Sequence, residues 1–321
     1  MARLYDTFLG ALTGYARYLV DDITQPTWRS YFYLLWLVSA VVFSLELARP
    51  WRPSQARFRR DFALDAFYMV FNFFLFSLLG YHAVASVVAQ LFVDARTAAG
   101  IETLSLVDVS SLPVWAQLVL MLVFRDFVQY WIHRLLHRVP ALWEFHKVHH
   151  SVREMGFAAH LRYHWVETVV YRTLEYIPLG LIGFGVQEFF AVHVLAISVG
   201  HLNHANLRVP IGPLRYVFNS PQMHLWHHAK GLPRRYGANF GLTLSVWDWV
   251  FGTVHWPADE PDVELGFTGV ERYPSGFFGQ MRAPFAALFG LRASAHAHEG
   301  AGDAQVEQQA DDIDHRRDER G

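Results

Sequence analysis

The spacing His-x-x-His-His occurs twice in this chain, as His146, His149 and His150 in EFHKVHH and as His224, His227 and His228 in MHLWHHA. A further pair, His133 and His137, stands one helical turn apart in WIHRLLHR. On helices, His133 and His137 share a face and His146 and His149 share another, while His150 is turned about 100° toward a neighbouring position. Four imidazoles saturate a tetrahedral zinc site, so two triads and a pair offer more donors than one metal needs. A histidine-ligated dinuclear centre is the expectation, and it requires distant segments to fold onto one another. Of the 18 histidines, 13 lie between His133 and His228, where an even scatter would put roughly five, so the function is expected there.

The surrounding chain is greasy. Of 321 residues, 53% are hydrophobic and 17% charged, which is too few charges for a soluble domain and predicts one that lies at least partly in lipid. With a formal net charge of −2 there is no field to attract nucleic acid. The absence of cysteine excludes thiolate haem, cysteine-held iron–sulfur clusters and disulfides, leaving imidazole as the abundant metal donor.

These properties predict an all-α integral membrane bundle of about four to five membrane-embedded helices with a cytoplasmic, histidine-rich catalytic cap. Residues 1–30 lack the pattern of a secretory signal and carry Leu4, Phe8, Leu12, Tyr15 and Leu19 at helical spacing, as an amphipathic interfacial helix or an ordinary packed one would. Residues 31–292 form the membrane-embedded domain. Within it, Tyr31 to Leu47 is a first span with Glu46 at the membrane edge, and Phe62 to Val93, longer than one span needs, is a second that tilts or kinks. Between them Arg49, Arg52, Arg57, Arg59 and Arg60 mark a cytoplasmic loop by the positive-inside rule. The segment 94–113 is an outer loop, and Leu112 to Trp131 a third span that delivers Arg125, Asp126 and His133 to the cytoplasmic side. Val166 to Gly200, broken at 178–185, reads as a hairpin dipping into the bilayer. Residues 230–275 read as a cap over the metal site. The tail 293–321 is expected to be disordered, with His296, His298 and His315 idle.

The motifs DFVQYWIHRLLH, HKVHH, RYH, HANLR, SPQMHLWHH and NFGLTLSVWDWVFGT, in that order over residues 126–253, resemble the fatty acid hydroxylase and sterol desaturase superfamily of membrane-bound dimetal oxygenases. The resemblance implies oxygen-dependent hydroxylation or desaturation of a lipid, sterol or carotenoid-like molecule. It places Asp126 ahead of the first box, His164 at a position that follows an arginine, and His204 at the next ligand position. It also matches Asn239, Asp248 and Gly252 in the segment after the last box. Two features depart from the pattern: Trp165 stands where the family usually has proline, and His160 and His201 are additional histidines.

The expected metal ligands are His133, His137, His146, His149, His150, His164, His204, His224, His227 and His228, with His160 and His201 as possible extra ligands. Nitrogen-only ligation suits iron, zinc or copper, and a pair of irons can share the electrons needed to cleave O2. Two iron ions are the expected cofactors, zinc the alternative, and O2 the co-substrate. Asp126, Asp248, Glu144 and Glu167 are candidates to accept the outer N–H of ligand imidazoles, against the alternative of salt bridges to Arg125, Arg134 or Lys147. Arg134, Arg138 and Lys147 could meet phosphate headgroups or an acidic donor, or simply be solvated. His82 and His193 are read as buried or interfacial rather than ligating. No Gly-x-Gly-x-x-Gly fingerprint is present, so electrons are expected from a separate cytochrome b5-like, ferredoxin or similar protein. Competing readings are a zinc-dependent membrane hydrolase, which lacks its usual His-Glu-x-x-His helix, and a metal transporter, whose histidines should line the spans.

Overall fold

The computed structural model describes residues 2–101, 109, 111–182, 184, 186–231, 234–256 and 262–290. The expected disordered tail and most of the 102–110 stretch lie outside them. The elements are helical, and among the described residues only isolated bridges, such as Pro50 with Leu207, have β geometry. In order the helices are α1 (Ala2–Thr24), α2 (Tyr31–Ala48), α3 (Phe62–Val70), α4 (His82–Ala98), α5 (Val114–Arg138) and α6 (Pro140–His150). Then follow α7 (Trp165–Ile182), α8 (Val186–His204), α9 (Pro221–His227), α10 (Val246–Val250) and α11 (Phe277–Leu288).

Two helical stretches are long and apolar enough to cross a membrane, α2 and the continuous stretch Phe62–Ala98 that contains α3 and α4. Their outward faces are apolar: Leu37, Val41 and Leu45 recur every fourth residue on α2, and Leu37 is 60% exposed. Water would penalise such a stripe, whereas lipid tails would not. The expected kink in the second stretch lies between α3 and α4, where the helix loosens into wider turns and Gly80 takes φ 123°, open to glycine but strained for other residues. The expected third span falls in α5, which is apolar outside at Val119, Leu120 and Val123 but buries Gln117, Arg125, Asp126 and Gln129 inside the protein.

Other expectations shift. The break expected within 178–185 falls after Ile182, where α7 ends, and Pro178 lies inside that helix, where a proline four residues from the end removes one bond of the last turn only. Glu46 is buried and accepts the N–H groups of Phe157 and Asn206, so it ties α2 to the turn before the site and to the end of α8. The arginine loop is likewise partly structural: Arg59 is buried in an ion pair with Asp65, and the Arg52 N–H donates to the Asn206 side chain at 2.9 Å. Arg162, fully buried, binds the same Asp65 and also Asp61, fixing the loop that joins α6 to α7.

Around the centre, α5 packs on α6, α7 and α8, α8 on α9 and α2, and α11 on α6, while α1 lies against α4. Pro140 occupies the first turn of α6, where its missing N–H costs nothing. Ser220 caps α9 by accepting the Met223 N–H at 3.3 Å, with Pro221 next in line. The histidine-bearing helices α5, α6, α8 and α9 thus meet at one end of the bundle.

Candidate metal centre

Nine of the ten expected ligands come together in two groups. His133, His137, His146, His150 and His227 form one, and His149, His204, His224 and His228 the other; within each, the candidate ligand atoms lie within 4.8 Å of one another, and all nine residues are buried. The groups share a wall, since the rings of His150 and His228 are 4.4 Å apart and those of His146 and His149 5.4 Å.

Each triad is divided between the groups. His146 and His150 face the first and His149 the second, which corrects the expected pairing of His146 with His149. Four residues advance the helix by about 400°, nearly in register, whereas three fall about 60° short. His224 and His228 pair in the same way, and His227 crosses to the first group.

The outer nitrogens are held. The Nδ1–H of His133 donates to the Phe240 carbonyl at 2.9 Å, that of His149 to Arg162 at 3.0 Å, that of His204 to Gly200 at 2.8 Å and that of His227 to Ala238 at 2.8 Å. The Tyr236 carbonyl receives a hydrogen bond from His137. Nδ1 of His146 lies 3.0 Å from a Glu167 carboxylate oxygen. A carbonyl can only accept, so in His133, His149, His204 and His227 Nδ1 carries the proton and the lone pair of Nε2 is turned inward. Burial drives the His149 imidazole down to about 3, and it pushes His204, His224 and His228 in the same direction, so these rings are neutral and ready to ligate.

That geometry calls for a cation. Nε2 of His204 is 3.3 Å from Nε2 of His149 and 3.0 Å from that of His224, which is itself 3.2 Å from Nε2 of His228. For His149 and His204 both Nδ1 protons are committed elsewhere, so two bare lone pairs face each other and repel. Tetrahedral bonds of about 2.0–2.1 Å set ligand nitrogens about 3.3 Å apart, the spacing found here. In the first group, Nε2 of His137, His146, His150 and His227 is buried without a hydrogen-bond partner. The residues therefore fit metal ions in both groups.

The remaining expected residues lie elsewhere. His164 stands outside both groups: its Nε2 is 3.0 Å from the Met281 carbonyl and its Nδ1 accepts the Val166 N–H at 3.1 Å. It precedes α7 directly and serves its first turn, so neither nitrogen is free to ligate. His201 bonds Ser39 at 3.1 Å and His160 at 2.8 Å; neither joins a group, though the His160 ring is 5.2 Å from His204. Gly200 leaves room for that ring, since a Cβ there would meet His160 Nε2 at 2.2 Å.

Among the carboxylates, Glu167 approaches an imidazole, whereas Glu144 pairs with Lys147. Asp126 and Asp248 act one step further out than expected. Asp126 accepts the N–H groups of Thr243 and Leu244 and the Trp247 indole at 2.8–3.1 Å. Asp248 accepts the N–H groups of Phe240 and Gly241, both at 2.8 Å, and the Thr253 hydroxyl at 2.6 Å. Burial pushes the Asp248 carboxyl up to about 6 against the pull of these bonds, leaving it ionised at neutral pH. Both aspartates thus hold the strand-like segment that presents the Phe240 carbonyl. Phe240, Ala238, Gly200 and Arg162 went unforeseen because they act through backbone carbonyls, which leave no side-chain signature.

A cavity of about 400 Å³ opens from the histidines. His133, His146, His149, His204 and His224 form its floor, and Tyr15, Tyr18 and His82 lie at its partly exposed mouth.

The family model described as fatty acid hydroxylase matches residues 118–253. An ornithine lipid hydroxylase of Rhizobium tropici is 36% identical over 173 residues, 54% of this chain and 51% of that protein. The alkylglycerol monooxygenase of Homo sapiens is 30% identical over 170 residues, 52% of this chain and 35% of the relative. A very-long-chain aldehyde decarbonylase of Oryza sativa subsp. japonica is 28% identical over 141 residues, 43% of this chain and 46% of the relative. The chain therefore spans about half the length, or less, of these curated relatives. No solved structure matches it.

Proposed function

Because the chain belongs to the fatty acid hydroxylase superfamily, we propose that it is a membrane-bound dimetal oxygenase that hydroxylates or desaturates a lipid-type substrate. The observation that carries this reading is the pair of adjacent all-imidazole groups at the floor of one cavity. Its relatives' names, a lipid hydroxylase and a monooxygenase, point the same way.

In this reading His133, His137, His146, His150 and His227 hold one ion and His149, His204, His224 and His228 the other, iron being the metal that suits imidazole and oxygen chemistry. Two irons, when bound, supply the electrons that reduce O2 and the oxidising power to take hydrogen from an unactivated carbon. In hydroxylation, O2, two electrons and two protons convert C–H to C–OH and release water. In desaturation, the substrate loses two hydrogens instead. The protein's own part is to orient and to exclude. Phe240, Arg162, Gly200 and Ala238 fix the ring orientations, Glu167 stands beside His146 and can hold a proton next to the floor, and burial of the nine rings keeps bulk water away. Electrons come from a separate donor of the cytochrome b5 or ferredoxin type, and the site faces the cytoplasm at the end of about four to five membrane-embedded helices.

The test is to purify the full chain, measure its metal, and incubate it with membrane lipid, O2 and reductant. Two irons per chain and a product heavier by one oxygen or lighter by two hydrogens are expected. One metal or none, or turnover without O2 as a zinc hydrolase would show, would overturn the reading.

A further inference from the structure

The two imidazole groups are built unequally. Five rings face the first and four the second, so an ion in the second keeps more of its coordination shell free of protein. The cavity also favours the second. Three of its four rings, His149, His204 and His224, line that space, against His133 and His146 of the first group's five.

The outer nitrogens differ in the same sense. In the first group the rings of His133, His137 and His227 are each fixed by a backbone carbonyl, and Nδ1 of His146 lies 3.0 Å from Glu167. In the second group His149 and His204 are fixed this way. Nδ1 of His224 and Nδ1 of His228, by contrast, are buried with no hydrogen-bond partner among the described residues. These residues are 2% and 0% exposed, so bulk water does not stand in for the missing acceptors. His224 lies on α9 and His228 directly follows it, so the loose side of the second group belongs to one short element.

The position of the protons turns this difference into one of affinity. Because the Nδ1–H of His204 is committed to Gly200, its Nε2 can only accept, and Nε2 of His224 donates to it at 3.0 Å. His224 can ligate an ion only after that proton has moved to Nδ1, where no acceptor receives it. A neutral His228 that ligates through Nε2 likewise carries an Nδ1–H without a partner. His133 and His227 need no such shift, since their protons already sit on Nδ1. The repulsion between the bare Nε2 atoms of His149 and His204 acts the other way, because an ion relieves it. It is one contact, set against two missing acceptors and one fewer ring.

We infer that the two ions are held with unequal strength: the first group keeps its ion tightly, and the second holds one that exchanges and turns its open positions to the cavity. An imidazole without its outer partner costs about 10–100-fold in metal affinity, so the two sites differ by at least about tenfold. The inference rests on the dimetal reading above and gives the two groups different duties within it. The first ion is a fixed part of the protein, and the second is the one whose occupancy follows the iron supply.

The test starts from the full, iron-loaded chain in lipid nanodiscs, treated without O2 or substrate with a graded series of a soluble iron chelator. Iron per chain, measured by mass spectrometry, should fall from two to a plateau at one that persists over about a tenfold or wider range of chelator. Anomalous scattering from the half-depleted protein should place the remaining iron among His133, His137, His146, His150 and His227. His228→Ala should carry one iron, released only where the native protein gives up its last. His137→Ala should bring the two release steps together. Loss of both irons in one step from the native protein, or a remaining iron among His149, His204, His224 and His228, would overturn the inference whether or not either variant folds. A protein that shows the plateau yet oxygenates no lipid keeps the inference and loses the oxygenase reading. One that oxygenates lipid but releases both irons together does the reverse, and a chain that takes up no second iron even in excess fails both.

Discussion

The Phe240 carbonyl receives the Nδ1–H of His133 at 2.9 Å, while the Phe240 N–H donates to Asp248 at 2.8 Å. One peptide segment thus transmits the position of a buried carboxylate to a histidine of the first group. Replacing Asp248 with Ala removes the acceptor for Phe240, Gly241 and Thr253 together, leaving buried donors unsatisfied at about 1–3 kcal/mol each. Asp248→Ala should lower metal affinity about 10–100-fold, and Asp248→Asn, which keeps one acceptor oxygen, should do less. Metal titration of the two variants would show the order; equal affinity in both would contradict it.

His164 and His149 are both motif histidines, and only His149 lies in a group that could hold a metal ion. Both ring nitrogens of His164 serve backbone groups, whereas Nε2 of His149 points at His204. His149→Ala should therefore lose about one metal ion per chain, while His164→Ala should keep two and lose stability, since it removes the partner of Val166 at the start of α7. Metal content together with thermal unfolding reads both effects, and loss of metal in His164→Ala would bring that residue back as a ligand.

Much of this was legible because the signals are periodic or punctuated. Tyr31 to Leu47 has no charge before Glu46, so α2 emerges almost to the residue. The histidines that converge are those repeated at helical spacing. What stayed hidden depends on contacts between distant segments. Glu46 looks like a membrane-edge residue until the chain returns the N–H groups of Phe157 and Asn206 to it. His164 fits a motif, yet nothing in RYHWVE tells that α7 starts there and claims its ring. The division of each triad needed only the helical angle, and the nearer match of i to i+4 over i to i+3 could have supplied it.

Acid should destabilise the metal-free protein. His149 has a pKa of about 3 when folded, against about 6.5 in an unfolded chain, so between these values the unfolded state binds more protons. The contribution is present above about pH 6.5 and is lost as pH falls toward 3. His204, His224 and His228 are shifted in the same direction and steepen the effect. The melting temperature of chelator-treated protein should fall steadily as the pH is lowered from neutral; a flat profile over that range would mean the rings are not buried and neutral as described.

Metal removal at neutral pH should itself be destabilising, because the second group brings the bare Nε2 lone pairs of His149 and His204 to 3.3 Å and nothing in the protein can stand between them. A ligand that binds only the folded state stabilises it by RT ln(1 + [L]/Kd), about 4 kcal/mol at a thousandfold excess over Kd. Chelation should therefore lower the melting temperature, and iron should restore it in a concentration-dependent way. In His204→Ala, one of the two facing lone pairs is gone, so the metal-free form should be relieved while the metal-bound form is weakened, and the gap between the two melting temperatures should narrow. An unchanged gap would show that the second group does not carry the metal-linked stability.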